Sequence, residues 1–263
     1  MIIDTHAHLS DRRLAGELQH WLQLARQAGV KWIINVGADL ASSRLAVEQA
    51  ARHEGLWAAV GVHPHDAKDW TPAMAAELEE LARHPKVCAY GEIGLDYHYD
   101  FSPRPVQREV FIEQLRLARA LNLPVIIHDR EAHQDVLNIL RAEGPFPAGG
   151  VMHCYSGSAE MVPAYLELGF YISFAGPLTF RNAKKPRLAA RQVPMDRLLV
   201  ETDCPYLSPE PYRGRLNHSA RVVHVVERLA EIKEVDFATM AAQTTRNAEQ
   251  LFGLKGADAT EAN

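Results

Sequence analysis

Cysteine is scarce in this sequence: Cys88, Cys154 and Cys204 are the only three in 263 residues, widely spaced and without a CxxC pair. Such an odd, scattered set excludes a disulfide framework and suits a reducing compartment. Long apolar runs are also missing, and no basic segment leading into an apolar stretch opens the chain, so the expectation is a cytoplasmic protein without a membrane partner. Cationic excess is absent too, because 28 Lys and Arg against 33 Asp and Glu leave a net charge of −5. That balance excludes a protein that coats nucleic acid through a global basic field. It does not exclude a nuclease, whose bound cations can meet phosphate themselves. No G-x-G-x-x-G turn follows the first apolar run, which counts against a doubly wound dinucleotide-binding sheet.

Present instead is a regular alternation. Short apolar runs recur as IIDTH (2–6), KWIINVG (31–37), WAAVGVH (57–63), VCAYGEIG (87–94), PVIIH (124–128), GVMHC (150–154), YISFAG (171–176) and LLVETD (198–203). Between them lie stretches with apolar residues at three- and four-residue spacing, as helices require. One opens on Thr71-Pro72, a cap and first-turn pair, another begins near Ser42, and two end at Gly29 and Gly55. Strands alternating with helices predict a parallel sheet of βαβ units. Eight units in about 250 residues predict a (β/α)8 TIM barrel. It is expected to span residues 1–254 as a single domain, with a disordered tail over 255–263 (KGADATEAN begins at Lys255).

The polar residues then fall into place. In such a barrel the chemistry sits at the carboxyl ends of the strands. His6 and His8 close the first apolar run, Glu92 lies late in the fourth, His128 ends the fifth, His153 the sixth and Asp203 the eighth. Imidazoles and carboxylates without thiolate suit borderline divalent ions. The expected metal set is therefore His6, His8, Glu92, His128, His153 and Asp203, holding two divalent ions per chain (Mg, Mn or Zn, with room for a third). Glu92 would bridge, with His6 and His8 on one ion and His128 and His153 on the other. Two ions about 3.5–4 Å apart clamp the attacking and departing oxygens of a displacement at phosphorus and lower the pKa of bound water from about 15.7 to about 7. Glu92 and Asp203 are thus catalytic candidates, Asp203 orienting the water or taking its proton. By contrast His20, His53 and His84 lie in helix-like or connecting stretches and read as solvated surface side chains.

In this order the segments DTHAHL (4–9), VGVHPH (60–65), GEIGLDY (91–97), PVIIHDREA (124–132), HCYSG (153–157), ETDCPYLSP (201–209), PYRG (211–214) and RNAEQLFG (246–253) resemble the TatD-like metal-dependent deoxyribonucleases of the amidohydrolase superfamily. The resemblance covers nearly the whole chain. It implies a barrel hydrolase of DNA phosphodiesters, exonucleolytic and acting on single strands or ends, with the six residues above at the family's metal positions. It departs from the family at NHSAR (217–221), where a proline commonly stands two residues after the asparagine. A small-molecule amidohydrolase or lactonase on the same metal site is the alternative.

The surrounding residues carry weaker signals. Asp4 and Glu201 lie two residues before His6 and Asp203, so they are expected on the same strand faces, where either could fix a metal-bound imidazole. His63 is a catalytic candidate at the barrel mouth. His65, Arg130 and Arg213 are candidates for substrate binding, although for His65 a plain loop histidine beside Pro64 is the favoured reading. Arg104 is a further loop arginine. The basic run FRNAKKPRLAARQ (180–192) either steers a polyanion or forms a solvated helix face. Tyr97, Tyr99, Phe101, Tyr155 and Tyr212 lie in loops where bases could stack or rings could simply pack. Alternation should turn Cys154 and Cys204 away from the metals as core thiols. Nothing in the sequence calls for an obligate protein partner.

Overall fold

A computed structural model of the protein describes residues 1–254; the segment 255–263, expected to be disordered, lies outside the described residues. Eight parallel strands pair in chain order: β1 (Ile2–Ala7), β2 (Val30–Val36), β3 (Leu56–Val60), β4 (Val87–Asp96), β5 (Val125–Arg130), β6 (Gly150–Met152), β7 (Phe170–Phe174) and β8 (Leu198–Val200). Helices α1 (Arg12–Ala15) and α2 (Leu18–Gln27) follow β1, α3 (Leu40–Arg52) follows β2, and α4 (Pro72–Ala82) follows β3. Then come α5 (Arg104–Ala120), α6 (His133–Glu143), α7 (Val162–Glu167), α8 (Lys184–Gln192), α9 (Val222–Lys233) and α10 (Phe237–Phe252). This is the expected (β/α)8 barrel.

The local chemistry behaves as elementary rules require, with one shift. Thr71 caps α4 by accepting the Met74 amide at 3.2 Å, and Pro72 follows at the first helical position. At α3 the cap is Asp39 rather than a serine: its carboxylate accepts the Ser42 N–H at 2.6 Å, while Ser42 Oγ accepts the Asp39 N–H at 3.0 Å. Ser42 therefore serves at the third helical position of a reciprocal capping box.

Two apolar layers hold the barrel. One residue or more from every strand, including Ile3, Ile34, Ala59, Ala89, Ile126 and Leu199, fills the interior, and Leu251 and Phe252 of α10 pack against this set. The opposite strand faces pack under the helices. Side chains alternate between these layers with a period of two. In β5 the inward series runs Ile126, His128, Arg130, so the apolar filling gives way to polar residues at the carboxyl end. In β1 and β4 the inward parity changes along the strand. Ile3 packs inside but Ala7 outside, and Ala89 inside but Ile93 and Leu95 outside. Pairing irregularities between Asp4 and Ala7, and between Tyr90 and Ile93, make the switch.

The seam between β1 and β8 closes beyond the end of β8. Ala7 bridges Cys204, the His8 N–H donates to the Cys204 carbonyl at 2.7 Å, and the Asp203 N–H donates to the His6 carbonyl at 2.9 Å. No helix among the described residues is long and apolar enough to cross a membrane.

Candidate metal centre

The six expected ligands converge at the carboxyl end of the barrel. His6 is fully buried and Glu92 nearly so. His6 Nε2 lies 3.1 Å from His8 Nε2 and 3.3 Å from Glu92 Oε2. Asp203 Oδ1 joins them at 3.4 Å from His8 Nε2 and 3.9 Å from His6 Nε2. The other oxygen of Glu92 serves a second group. Oε1 lies 2.7 Å from His128 Nδ1, 3.3 Å from His153 Nε2 and 3.7 Å from His63 Nε2. Glu92 thus stands between two clusters, one on each carboxylate oxygen.

Contacts on the far side of the rings fix which nitrogens face the cluster. His8 Nδ1 donates to the Val36 carbonyl at 2.9 Å, which turns Nε2 toward the cluster. His153 Nδ1 lies 2.7 Å from Glu201 Oε1, so its Nε2 also faces inward. Imidazole nitrogens and carboxylates crowded together in this way form the environment that a divalent cation satisfies once the rings give up their protons. The donor set fits a divalent metal.

Charge in the cluster follows. Burial alone would raise Glu92, but the imidazoles of His153, His6 and His63 and the hydrogen bond from His128 hold it well below the usual carboxylate range. Burial opposes protonation of His128 and His153, yet contacts with Asp96 and Glu92 lift His128 to about 9, and Glu201 and Glu92 lift His153 to about 10. His128 touches carboxylates on both sides: its Nε2 lies 3.0 Å from Asp96 Oδ2. Carboxylates on both nitrogens favour its imidazolium form, so holding a divalent cation at Nδ1 would cost that proton. Asp203 is held below its ordinary value, because His8, His153 and His6 outweigh its burial.

Beside the cluster lies a cavity of about 460 Å³ lined by His128, Arg130, His153, Asp203, Lys185 and Leu178, among others. A larger open groove of about 700 Å³ runs along α2 and α3 past His20 and His53, on the outer helical layer away from the ligands.

A family model described as "TatD related DNase" matches residues 3–253. The chain belongs to the TatD family. It is 46% identical to the uncharacterized metal-dependent hydrolase YabD of Bacillus subtilis (strain 168), over 97% of this chain and all of that protein. To the 3'-5' ssDNA/RNA exonuclease TatD of Escherichia coli (strain K12) it is 34% identical, over 96% of this chain and 99% of the relative. The crystal structure of YJJV, a TatD homologue from Escherichia coli K12, superposes with a TM-score of 0.92 at 31% identity, covering 97% of this chain and 98% of that one.

In this TatD-family barrel several neighbours of the ligands differ from expectation. Asp4 does not share a face with His6, because the irregularity in β1 intervenes. Its carboxylate accepts the Thr202 N–H at 2.8 Å and the Thr202 hydroxyl at 2.6 Å, fastening β1 to the segment after β8. Glu201 does stand behind His153. Cys204 is buried as expected, but Cys154 lies beyond the short β6, where strand alternation no longer applies, and it lines the cavity. Burial and the nearby acids Asp203, Glu201 and Glu92 raise its thiol well above the ordinary value, so it is no nucleophile.

His63 sits beside Glu92, and burial together with the His128 charge pushes it well below its usual range. That favours its neutral form, which keeps one N–H. His65 is turned to Asp96, with Nε2 3.0 Å from Oδ2. Arg130 lines the cavity, whereas Arg213 stacks 4.3 Å over Phe180, outside it. Arg104 is compensated by Asp100 at 2.7 Å. The basic run divides: Lys185 lines the cavity, and Arg187 donates to the Phe180 carbonyl at 2.7 Å.

Asp96 is the residue that sequence reasoning missed. It holds His65 and His128 on one oxygen, and on the other it accepts the amides of His98 at 3.0 Å and Tyr99 at 2.9 Å. The available signal was its spacing of four from Glu92 on one strand, which puts both on the same face.

Proposed function

We propose that this protein is a divalent-metal-dependent deoxyribonuclease that hydrolyses phosphodiesters from an end of single-stranded DNA. The observation that carries the reading is the division of Glu92, whose two oxygens serve separate imidazole groups within one buried cluster. His6, His8 and Asp203 on one side of Glu92, and His128 and His153 on the other, would hold divalent ions, which would supply charge neutralisation at phosphate and a more acidic water. Asp203, ionised at neutral pH, accepts the proton that the water loses. Glu201 keeps His153 in one tautomer and orientation. Arg130 and Lys185 face the cavity without a carboxylate partner among the described residues, and they hold the phosphates of the strand. A chain of net charge −5 thereby presents local cations where its polyanionic substrate enters. The exonuclease named among the relatives supports the substrate class.

The test is to count metals per chain and incubate the protein with end-labelled single- and double-stranded DNA in Mg²⁺ or Mn²⁺, beside Glu92→Ala. The wild type is expected to shorten single strands progressively and Glu92→Ala to leave them intact. Equal cleavage by both proteins would mark the activity as a contaminant and refute the proposal. Turnover of a lactone or amide without any DNA cleavage would replace it with the small-molecule reading.

A further inference from the structure

We infer that Tyr99 and Phe101, joined to the cavity by Arg130, form a stacking ledge for the unpaired bases of the nucleic-acid strand. The inference rests on the nuclease reading above and adds the path the strand takes and the reason it is single.

Large apolar side chains are few on this surface, and two of the most exposed stand together: Tyr99 is 47% and Phe101 57% exposed. Their rings stack with centroids 5.2 Å apart and planes 28° from parallel, with Arg130 over Tyr99 and the His65 ring tilted 4.8 Å from Phe101, and Phe101 is the more exposed of the pair. An isolated exposed ring needs no explanation, but a contiguous pair held outward does.

The loop that bears them is fastened rather than loose. Asp96 accepts the Tyr99 amide at 2.9 Å, and the buried Gln107 donates to the Ser102 carbonyl at 2.8 Å and the Asp96 carbonyl at 3.1 Å. Ser102 Oγ donates to the His65 carbonyl at 2.7 Å. Both ends of the loop are therefore fixed while the two rings stay about half exposed beside His65.

The ledge is continuous with the metal centre. Arg130 lines the cavity with His128 and Asp203, and its guanidinium lies 4.8 Å over the Tyr99 ring. That cation stands between the ledge and the ligands, where a phosphate linking the two positions would pass. Arg130 over Tyr99 has no carboxylate partner among the described residues, whereas the other nearby aromatics are buried or lie under arginines that carboxylates neutralise. Tyr97 donates its hydroxyl to Asp135 at 2.7 Å under the Arg104 guanidinium, Tyr155 is buried, and the Tyr206 ring lies under Arg13, which is itself paired with Asp11.

Stacking reads the face of a base and not its hydrogen-bonding edge, so the ledge accepts any base. Within a duplex those faces are covered by neighbouring base pairs. The ledge thus favours a single strand without selecting sequence.

The experiment measures binding of fluorescein-labelled phosphorothioate octamers to the metal-loaded protein. One octamer is oligothymidine, and the other carries the same backbone with every base replaced by an abasic unit. Wild type is expected to prefer the base-bearing strand by at least about tenfold, the worth of one stacked base. In Tyr99→Ala/Phe101→Ala that preference is expected to shrink to within about threefold, and Tyr99→Trp/Phe101→Trp, which keeps two aromatic faces, is expected to retain it. A double alanine variant that prefers bases by the wild-type factor overturns the ledge and leaves the nuclease reading standing. So does a tryptophan variant that folds, keeps its metals and loses the preference. A wild type that neither binds nor cleaves either strand overturns both readings together.

Discussion

Replacing Glu201 by glutamine isolates the support behind one candidate ligand. Glu201 is 1% exposed, and a single oxygen meets both His153 Nδ1 at 2.7 Å and the Cys154 N–H at 2.7 Å. Glutamine keeps an acceptor for each donor and removes only the negative charge. A hydrogen bond to a charged partner contributes about 1.5–3 kcal/mol and a neutral one about 0.5–1.5, so the loss is about 1–1.5 kcal/mol. That corresponds to about a tenfold loss of metal affinity, the lower end of the 10–100-fold range for such supporting carboxylates. Competitive titration of Mn²⁺ against a chromophoric chelator reads it directly. Activity at saturating Mn²⁺ is expected to stay within about threefold of wild type, because the imidazole itself remains. His153 should also surrender its proton at lower pH in the metal-free variant, which NMR of the ring nitrogens detects. Glu201→Ala serves as the contrast: it strands the buried Cys154 amide and lowers folding stability by about 1–3 kcal/mol as well. Unchanged Mn²⁺ affinity in Glu201→Gln would mean that His153 is not a ligand, or that Glu201 does not tune it.

In the metal-free protein His128 and His153 hold protons up to about 9 and about 10, above the unfolded value near 6.5. Their contribution to stability is complete below the unfolded pKa and is lost as pH rises through about 9 to 10, so chelated protein should unfold at lower urea across that window. Metal uptake near pH 7.5 should correspondingly release protons, seen as a dependence of the calorimetric heat on buffer ionisation; buffer-independent heats would contradict this. Gly94 has φ +149°, and a Cβ there would strike the carbonyl of His128 in the adjacent strand. Gly94→Ala is accordingly expected to lose at least about 3 kcal/mol of stability or fail to accumulate as soluble protein, and a normal melting temperature would show that β4 and β5 are not so close. Gln107→Leu removes the acceptor for the buried Asp96 N–H and two donors, costing about 1–3 kcal/mol per stranded group. Hydrogen exchange should quicken across 97–102 while the barrel strands stay protected, and a loop that exchanges as in wild type would disprove the anchoring role.

The fold was legible because each strand and helix carries its own local signal. Runs such as PVIIH and LLVETD are apolar until their last residues, and the change to His128 and Asp203 marks the end of the barrel that faces substrate. Where alternation continues undisturbed, as from Ile126 to His128 or from Leu199 to Glu201, sequence spacing predicted the facing side chains. It failed at Asp4, because the parity of β1 changes through a pairing irregularity that depends on the neighbouring strand, whereas Asp96 could have been found from its spacing of four from Glu92. Cys154 was misread for a related reason: β6 ends at Met152, so strand alternation stops before reaching it. The pairing of charged loop residues was equally hidden. Nothing in the sequence distinguishes Arg130, which stands free in the cavity, from Arg104, which Asp100 neutralises.

The seam between β1 and β8 has a consequence for synthesis. A ribosome delivers His6 and His8 almost at once, but the acid that completes their cluster emerges only after all eight strands have been made. Until the stretch around Cys204 docks on Ala7, the early histidines have neither a closed wall nor Asp203 beside them. A nascent or prematurely terminated polypeptide therefore carries half a catalyst, and hydrolytic competence arrives as a single event with the final turn of the barrel.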